Sequence, residues 1–431
     1  MPAPSTDLDF LLAPTSTDEF FARHWETTPL VVARADEQRF AALLAPQDLD
    51  DIIANACSRQ NDASEVPSLE LLGDAALVRE IESRHAHRVA AVYDAYRQGA
   101  TIRINAAQQF WKPLRLLCRQ LEQVFSFPVR ANLYASPAGA HRSRRHYDKH
   151  DVLVLQLAGR KNWRIYNPIV PLPLAHMPAL PFEERGRELK HHRGGPKKGR
   201  ARIGDEESGP TLLEHTARAG DTLYLPRGFV HEAWTTDEEA SLHVTLGIHV
   251  LTWMHLLAVA LGQTANRDER FRRALPAGFA NETANGADAL KAHLDELLQA
   301  FSEQADAARA LEETAWSFLV STQAVGDGSL AGVADGSPAA DTDAARDINP
   351  QTLLRRRRGL ICRLVFDGDN VGLASPHRTL WMPKNFAEAL RFVAHNAELR
   401  PARIPAHMSD KSKLALARRL IADGFLTVEN E

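Results

Sequence analysis

Cysteine is scarce. There are three in 431 residues, Cys57, Cys118 and Cys362, far apart and odd in number. That pattern excludes a disulfide framework and a CxxC zinc site, and it fits a reducing, cytoplasmic setting. An excess of one charge is also missing. The formal net charge is -4, so the whole chain is no polycation built for nucleic acid. Long apolar runs are absent: the longest, "HVLTWMHLLAVALG", is too short and interrupted to span a membrane. The opening "MPAPSTDLDFLLAP" has acidic residues and no basic segment before its brief apolar run, so no signal peptide is expected. No internal repeat is visible, and the Gly-rich stretch 324 to 338 lacks the Lys-Ser/Thr of a P-loop and the strand context of a dinucleotide fold. What remains is ordinary globular composition, 44% apolar, in a chain too long for one core. Two or three domains are expected.

The organisation changes along the chain. Residues 16 to 125 read mainly as helices. "STDEFFARHWE" opens with Ser16 and Glu19 in capping-box spacing. "FWKPLRLLCRQLEQVF" repeats apolar residues at helical intervals, with Pro113 suited to a first turn. From Val129 the segments "VRANLYASP", "DVLVLQLAG", "NWRIYNP", "TLLEHTARAGDTLYLP", "VHEAWTT" and "SLHVTLGIHV" are short, β-branched or aromatic, and punctuated by Gly, Pro and Asp. They predict a β-sandwich or barrel. Residues 182 to 210 are highly charged and read as an exposed loop. The helical period returns from Trp253 to about Gln323. Residues 324–349 have linker composition, and the tail from Pro350 is basic, with fourteen Lys and Arg against eight Asp and Glu.

Two His-x-Asp pairs occur. His293-Leu294-Asp295 lies in the strongest helical stretch, where residues i and i+2 point about 200° apart and cannot share a metal. His146-Tyr147-Asp148 leads into a strand pattern, where i and i+2 side chains share a face. In "GDTLYLPRGFVHEAW", Gly220-Asp221 makes a turn and "TLYLP" a short strand. Pro226-Arg227-Gly228 turns again and brings His231 to the start of the next strand. Two imidazoles and one carboxylate on one face of a metal make the facial triad of non-heme Fe(II) oxygenases. Strand-end histidines are just as ordinary in a β domain, and the chemistry alone leaves the two readings level.

If 2-oxoglutarate is the co-substrate, its far carboxylate needs a buried cation. Lys161, expected on a second strand antiparallel to the one leading from His146-x-Asp148, is a candidate. Taken alone, a lysine there is more commonly a solvated hairpin residue. Tyr134 and Asn132, two apart in "NLYASP", could share a face and add neutral donors. Trp163 and Trp234 read as packing, His141 as exposed, and Asp151, by alternation, as facing away from Asp148.

The motifs "FFARHWETTPLVVAR", "NLYASP", "HYDKHDVLVLQLAGRKNWRIYNP" and "GDTLYLPRGFVHEAW" followed by "SLHVTLG" together resemble the JmjC-type, cupin-fold ribosomal oxygenases, over most of residues 5 to 255. The resemblance implies an α+β architecture. A double-stranded β-helix (jelly-roll, cupin, JmjC) core with N-terminal helices would occupy 1–254, a helical dimerisation region 255–323, a linker 324–349 and a winged-helix-like domain 350–431. It implies His146, Asp148 and His231 as ligands of Fe(II), with Lys161 on the distal carboxylate of 2-oxoglutarate, Tyr134 and Asn132 nearby, and O2 as second co-substrate. Metal binding should then weaken in acid, because the ligand imidazoles must be neutral. Gly247 departs from the family, which often has a small hydroxyl residue there. The segment around Arg142, Arg144 and Arg145 and the 182–202 loop are unusually basic.

The implied reaction is hydroxylation of an amino-acid side chain, His or Arg, of a protein, by analogy a ribosomal protein. The basic loops sit awkwardly with a basic substrate, which keeps another peptide, such as a natural-product precursor, in play. A different class of function is a nucleic-acid-binding regulator with a non-catalytic metal-binding cupin domain. It would use the four arginines of "LLRRRRGLICRL" and the helix in "SKLALARRLIADGF", although an Arg run is more often a solvated or interdomain face. A homodimer and no membrane partner complete the expectations.

Overall fold

The structure is a computed structural model. It describes residues 7–58, 68–84, 88–140, 143, 145–175, 209–277, 279, 287–322, 345–357, 359–376, 378–405 and 408–428. The charged 182–210 loop (up to 208), His141, Arg142, Arg144 and most of the linker lie outside these residues. Two compact units, Met1–Val250 and Leu251–Glu431, make up the chain.

Among its described residues the first unit has nine strands: β1 (Leu30–Val32), β2 (Leu69–Leu72), β3 (Thr101–Ile104), β4 (Val129–Ser136), β5 (Asp151–Pro168), β6 (Thr211–Arg218), β7 (Thr222–Leu225), β8 (Phe229–Trp234) and β9 (Ser241–Ile248). Seven of them follow the order β1-β7-β5-β9-β4-β3-β2, and β6 and β8 flank β5 further along. β1, β2 and β3 fall in the stretch whose sequence reads as mainly helical. They are too short to show a period, and they extend the sheet at its two edges.

β5 is the strand that makes the site. The sequence divides it into two antiparallel strands; the structure has one, 18 residues long. Its first half pairs with β7 and β9, its second with β6 and β8. A register shift between Gln156 and Ala158 and a left-handed Gly159 (φ +62°) mark the crossover. The bulge inverts the alternation. Before it Val152 and Val154 face inward, and after it Trp163 and Ile165 do, in one buried cluster with Ala217, Leu223, Leu225, Phe229 and Ala233. The inverted alternation gives Lys161 the inward face of Trp163 and Ile165. A Cβ at Gly159 would lie 1.8 Å from the Ala240 carbonyl oxygen. Gly159→Ala should therefore destabilise this unit by about 2–4 kcal/mol, read in urea unfolding. A loss below about 0.5 kcal/mol would show that the corner tolerates a side chain.

Helices cover the other face of the larger sheet. Leu114, Leu117, Leu121 and Phe125, from the helix Lys112–Phe125, pack with Leu133, Leu153, Leu155, Val244, Leu246 and the N-terminal Leu8, Leu11 and Phe20. Pro113 stands in the helix's first turn, and Ser16 caps Thr17–Arg23 by accepting from the Glu19 N–H at 3.1 Å. Trp25 stacks on Tyr224, 5.9 Å between centroids. The Tyr224 hydroxyl donates to the buried Asp151 at 2.6 Å. Arg227 bridges Asp151, at 2.9 Å, and Glu26. Asp151 thus ties the N-terminal segment to the turn before β8 and takes no part in the site.

The described residues of the second unit start with the helices Trp253–Arg267, Ala287–Gln304 and Ala307–Ser321. The outlying His293-x-Asp295 pair lies in the middle one. There the His293 ring meets Glu296 at 3.3 Å and Asp295 meets Lys291 at 3.2 Å. The rest holds two three-stranded sheets. One is β10 (Leu354–Arg356) between β14 (Glu398–Leu399) and β15 (Leu426–Val428). The other is β11 (Arg363–Asp367), β12 (Asn370–Ala374) and β13 (Thr379–Pro383). The helices Ala387–His395 and Asp410–Ala422 pack on them around Leu354, Val371, Leu373, Leu390, Leu420 and Phe425. Ala345 and Ile348 belong to this core, so the packed unit takes in residues on the linker side of 350. Three of the four consecutive arginines are engaged inside the domain: Arg355 pairs with Glu398, Arg356 donates to the Ala394 carbonyl, and Arg357 is buried. Among the described residues, no helix is long and apolar enough to cross a membrane.

Candidate metal and co-substrate site

His146 and His231 meet through their backbones. Each N–H donates to the other's carbonyl, at 3.2 Å from His146 and 2.8 Å from His231, an isolated bridge that lays the His146-x-Asp148 segment along β8. The bridge puts the two imidazoles on the same side, 4.4 Å between ring centroids. His231 is the third residue of β8 rather than its first, and it faces inward with Phe229 and Ala233. Asp148 is held by the Gly228 N–H, which donates to its carbonyl at 3.0 Å. Gly228 has φ +93° and no room for a side chain, since a Cβ would lie 2.3 Å from the Val170 oxygen.

One donor atom from each of His146, Asp148 and His231 falls within 4.8 Å of the others. His231 Nδ1 lies 3.0 Å from the Phe229 carbonyl. A proton on Nδ1 satisfies that contact and leaves Nε2, 3.6 Å from Asp148, as the metal-facing lone pair. His231 is buried, while His146 and Asp148 are partly exposed, so the triad opens on one side. This donor set suits a divalent first-row metal with open coordination positions.

Lys161 is inside, 6% exposed, not on a solvated hairpin. Its ammonium donates to Ser136 Oγ at 2.8 Å and has no carboxylate partner among the described residues. Burial lowers its pKa to about 8. A buried ammonium facing only a hydroxyl carries a charge that an anion would neutralise. Tyr134 lies on β4 with its ring parallel to that of His243, 4.8 Å away. The Asn132 side-chain oxygen accepts from the Ala106 N–H at 3.1 Å, which fixes the orientation of the amide. β4 thus contributes Asn132, Tyr134 and Ser136 on one face, as the two-residue spacing predicts.

Two residues outside the sequence-predicted set, Trp163 and His243, lie in the same interior. Trp163 is interior, its ring 6.1 Å from that of His231, whereas Trp234 sits under the Arg164 guanidinium at 5.5 Å. His243 is buried, and burial followed by the Lys161 charge holds it neutral. The legible signal was "SLHVTLGIHV" itself, with His243, Thr245, Gly247 and His249 alternating against apolar residues. Gly247 has a local reason: a Cβ there would lie 3.1 Å from the His150 ring, which in turn stands 4.8 Å from His249. His249 is held down to about 3, first by burial and then by His150 and Arg130. Arg145 is committed inward, its guanidinium 3.3 Å from the buried Glu232 and 4.5 Å over the Tyr166 ring. Of the three arginines flagged before the triad, this one is a structural cation.

A family profile described as the JmjC domain matches residues 105–256, which include His146, Asp148, His231, Lys161, Tyr134 and Asn132. The chain is 31% identical to "Ribosomal oxygenase 1" of Gallus gallus over 324 residues, 72% of this chain and 50% of that protein. This chain carries a JmjC domain and is a homologue of the ribosomal oxygenases. "Ribosomal oxygenase 1" of Danio rerio is 24% identical over 97% of this chain and 78% of its own length. The "Bifunctional lysine-specific demethylase and histidyl-hydroxylase NO66" of Culex quinquefasciatus is 28% identical over 68% of this chain and 43% of its own. The chain therefore spans about half the length of the chicken relative and less of the Culex one. The solved structure of YcfD, a ribosomal oxygenase from Escherichia coli, covers 96% of this chain and 98% of its own, with 18% identity and a TM-score of 0.52. That likeness establishes the fold. The two sheets sharing β5 are the cupin core of a JmjC domain, with mixed helices and antiparallel sheets around it.

Proposed function

We propose that this chain is an Fe(II)- and 2-oxoglutarate-dependent dioxygenase that hydroxylates an amino-acid side chain, His or Arg, of a protein. The observation that carries the reading is a His-Asp-His cluster of facial-triad type in the same sheet pair as a buried lysine without a carboxylate partner among the described residues. His146, Asp148 and His231 would hold the iron, and Lys161 would neutralise the distal carboxylate of 2-oxoglutarate, with Asn132 and Tyr134 beside it. Iron, 2-oxoglutarate and O2 together supply the oxidation of an unactivated C–H to C–OH, with succinate and CO2 as the other products. This chain's residues bind, orient and exclude water. The Phe229 carbonyl fixes the His231 tautomer, the backbone bridge fixes the separation of the imidazoles, and the Val152/Val154/Ile165 interior keeps the pocket apolar.

The relatives' names favour a ribosomal protein as substrate. The inward commitment of Arg145 removes part of the charge mismatch with such a basic partner. The test is incubation of the protein with Fe(II), 2-oxoglutarate, O2 and total ribosomal proteins. A mass gain of one oxygen on a single His or Arg, with matching succinate, is the expected result. Succinate release that no ribosomal protein stimulates would redirect the search to other peptides.

We further assign residues 255–323 to a homodimer interface, 324–349 to a linker, 350–431 to a winged-helix-like domain, and the whole to the cytoplasm. The helix at 253–267 exposes Trp253 (79%), Met254, Leu257 and Leu261, and the next exposes Leu294 and Leu298. Apolar faces of this extent are usually covered in the working assembly. Light scattering at micromolar concentration should give twice the chain mass, and Trp253→Asp with Leu257→Asp should halve it. A monomer mass for the wild type refutes the interface. The engaged arginines of β10 give the nucleic-acid reading no support.

A further inference from the structure

Two buried nitrogens stand without a partner between the triad and Lys161. Trp163 Nε1 and His243 Nδ1 have no hydrogen-bond partner among the described residues, and their side chains belong to residues only 6% and 4% exposed. Such orphans are rare in native interiors and call for an explanation. The two rings meet edge to face, 5.7 Å between centroids. Trp163 reaches towards His231 on one side, and His243 stacks on Tyr134 on the other. His231, Trp163, His243 and Tyr134 thus form one continuous wall. Lys161 is two residues from Trp163 on the same face of β5, and its ammonium, too, lacks an acceptor of opposite charge among the described residues.

An indole N–H donates and cannot accept. An imidazole held neutral by burial and by Lys161 keeps one N–H and adds no second positive charge beside the ammonium. An indole N–H, a buried ammonium and an imidazole whose unpartnered Nδ1 can carry the ring's single proton line one wall, and together they match one ligand class, a carboxylate-bearing anion.

We propose that Trp163 and His243 are co-substrate-binding residues, each donating an N–H to the oxygens of the dicarboxylate that Lys161 neutralises. The inference rests on the oxygenase reading above and deepens it. It assigns the wall between metal and lysine as a donor surface where the sequence suggests mere packing.

The test is calorimetric titration of 2-oxoglutarate into anaerobic, Mn(II)-loaded full-length protein, with no turnover. Trp163→Phe and His243→Phe should each weaken binding about tenfold, the effect of one charge-assisted hydrogen bond, with Mn(II) affinity unchanged. His243→Gln, which keeps a donor, should recover part of the loss. In indole-15N-labelled wild type, the resonance missing from Trp163→Phe should shift when 2-oxoglutarate is added. If either Phe variant fails to fold, Trp163→Tyr supplies the assignment and His243→Gln the affinity. Unchanged affinity in both Phe variants, or an indole resonance that does not move, overturns this inference. If Lys161→Ala still abolishes binding in that case, the pocket itself stands. Metal-loaded wild type that takes up no 2-oxoglutarate overturns both readings.

Discussion

Replacing Lys161 with Met is expected to abolish measurable 2-oxoglutarate binding and, at the same time, to stabilise the ligand-free protein. The lysine is buried, and its hydrogen-bond partner among the described residues is the neutral Ser136, so the ligand-free protein holds an uncompensated charge. Its folded pKa is about 8, against 10.5 for the unperturbed group. The unfolded chain therefore holds the proton more tightly than the folded one. The penalty is complete below pH 8, about 3 kcal/mol. It fades as pH rises from about 8 to about 10.5, so ligand-free stability should climb across that window in the wild type and not in Lys161→Met. An anionic ligand reverses the preference, because it favours the charged lysine. Affinity for 2-oxoglutarate should fall above pH 8, by about tenfold per unit while the lysine in the complex stays protonated. At pH 7, loss of the buried pair should weaken binding by on the order of a hundredfold or more. Thermal unfolding and calorimetry from pH 7 to 10 check both signs. A less stable Lys161→Met protein, or 2-oxoglutarate affinity flat across pH 8, would show that the lysine is satisfied by something other than a bound anion.

His231→Ala should remove metal-dependent 2-oxoglutarate binding and hydroxylation together. Loss of a supporting residue behind a ligand costs about 10- to 100-fold in metal affinity or activity, and loss of the ligand itself should exceed that. The histidine is also anchored by the bridge to His146, but through backbone atoms, so the alanine variant keeps the bridge and should remain folded. His146→Ala and Asp148→Ala should behave alike, and His293→Ala, on its helix, should leave metal binding unchanged. Mn(II) binding followed by electron paramagnetic resonance separates the two groups. Wild-type affinity in His231→Ala would place the metal elsewhere.

Much of this site is local and therefore legible in the chain. The two His-x-Asp pairs are told apart by period alone: apolar alternation after Asp148, helical spacing around His293. Asn132, Tyr134 and Ser136 share a face because a strand has period two. The capped helix at Thr17–Arg23 and the Pro113 helix start follow from single residues whose chemistry fits one position. The cysteines are unpaired in the structure, as their spacing predicts.

The rest was decided by pairing between distant segments. No local pattern shows that His146 and His231, 85 positions apart, exchange backbone hydrogen bonds. Edge pairing is set by the register of the whole sheet, and backbone donors look alike along every strand. Lys161 is the sharpest case. Strict alternation from Val152 and Val154 would put it on the outer face of β5; the bulge between Gln156 and Ala158 and the Gly159 corner bring it inside. The sequence by itself determined a candidate set of metal ligands, the strand character of its surroundings and a cation that could face a co-substrate. The tertiary structure alone decided that these groups share one interior, because a one-residue shift in a strand exchanges its faces, and only contacts with β7, β9, β6 and β8 fix where that shift occurs.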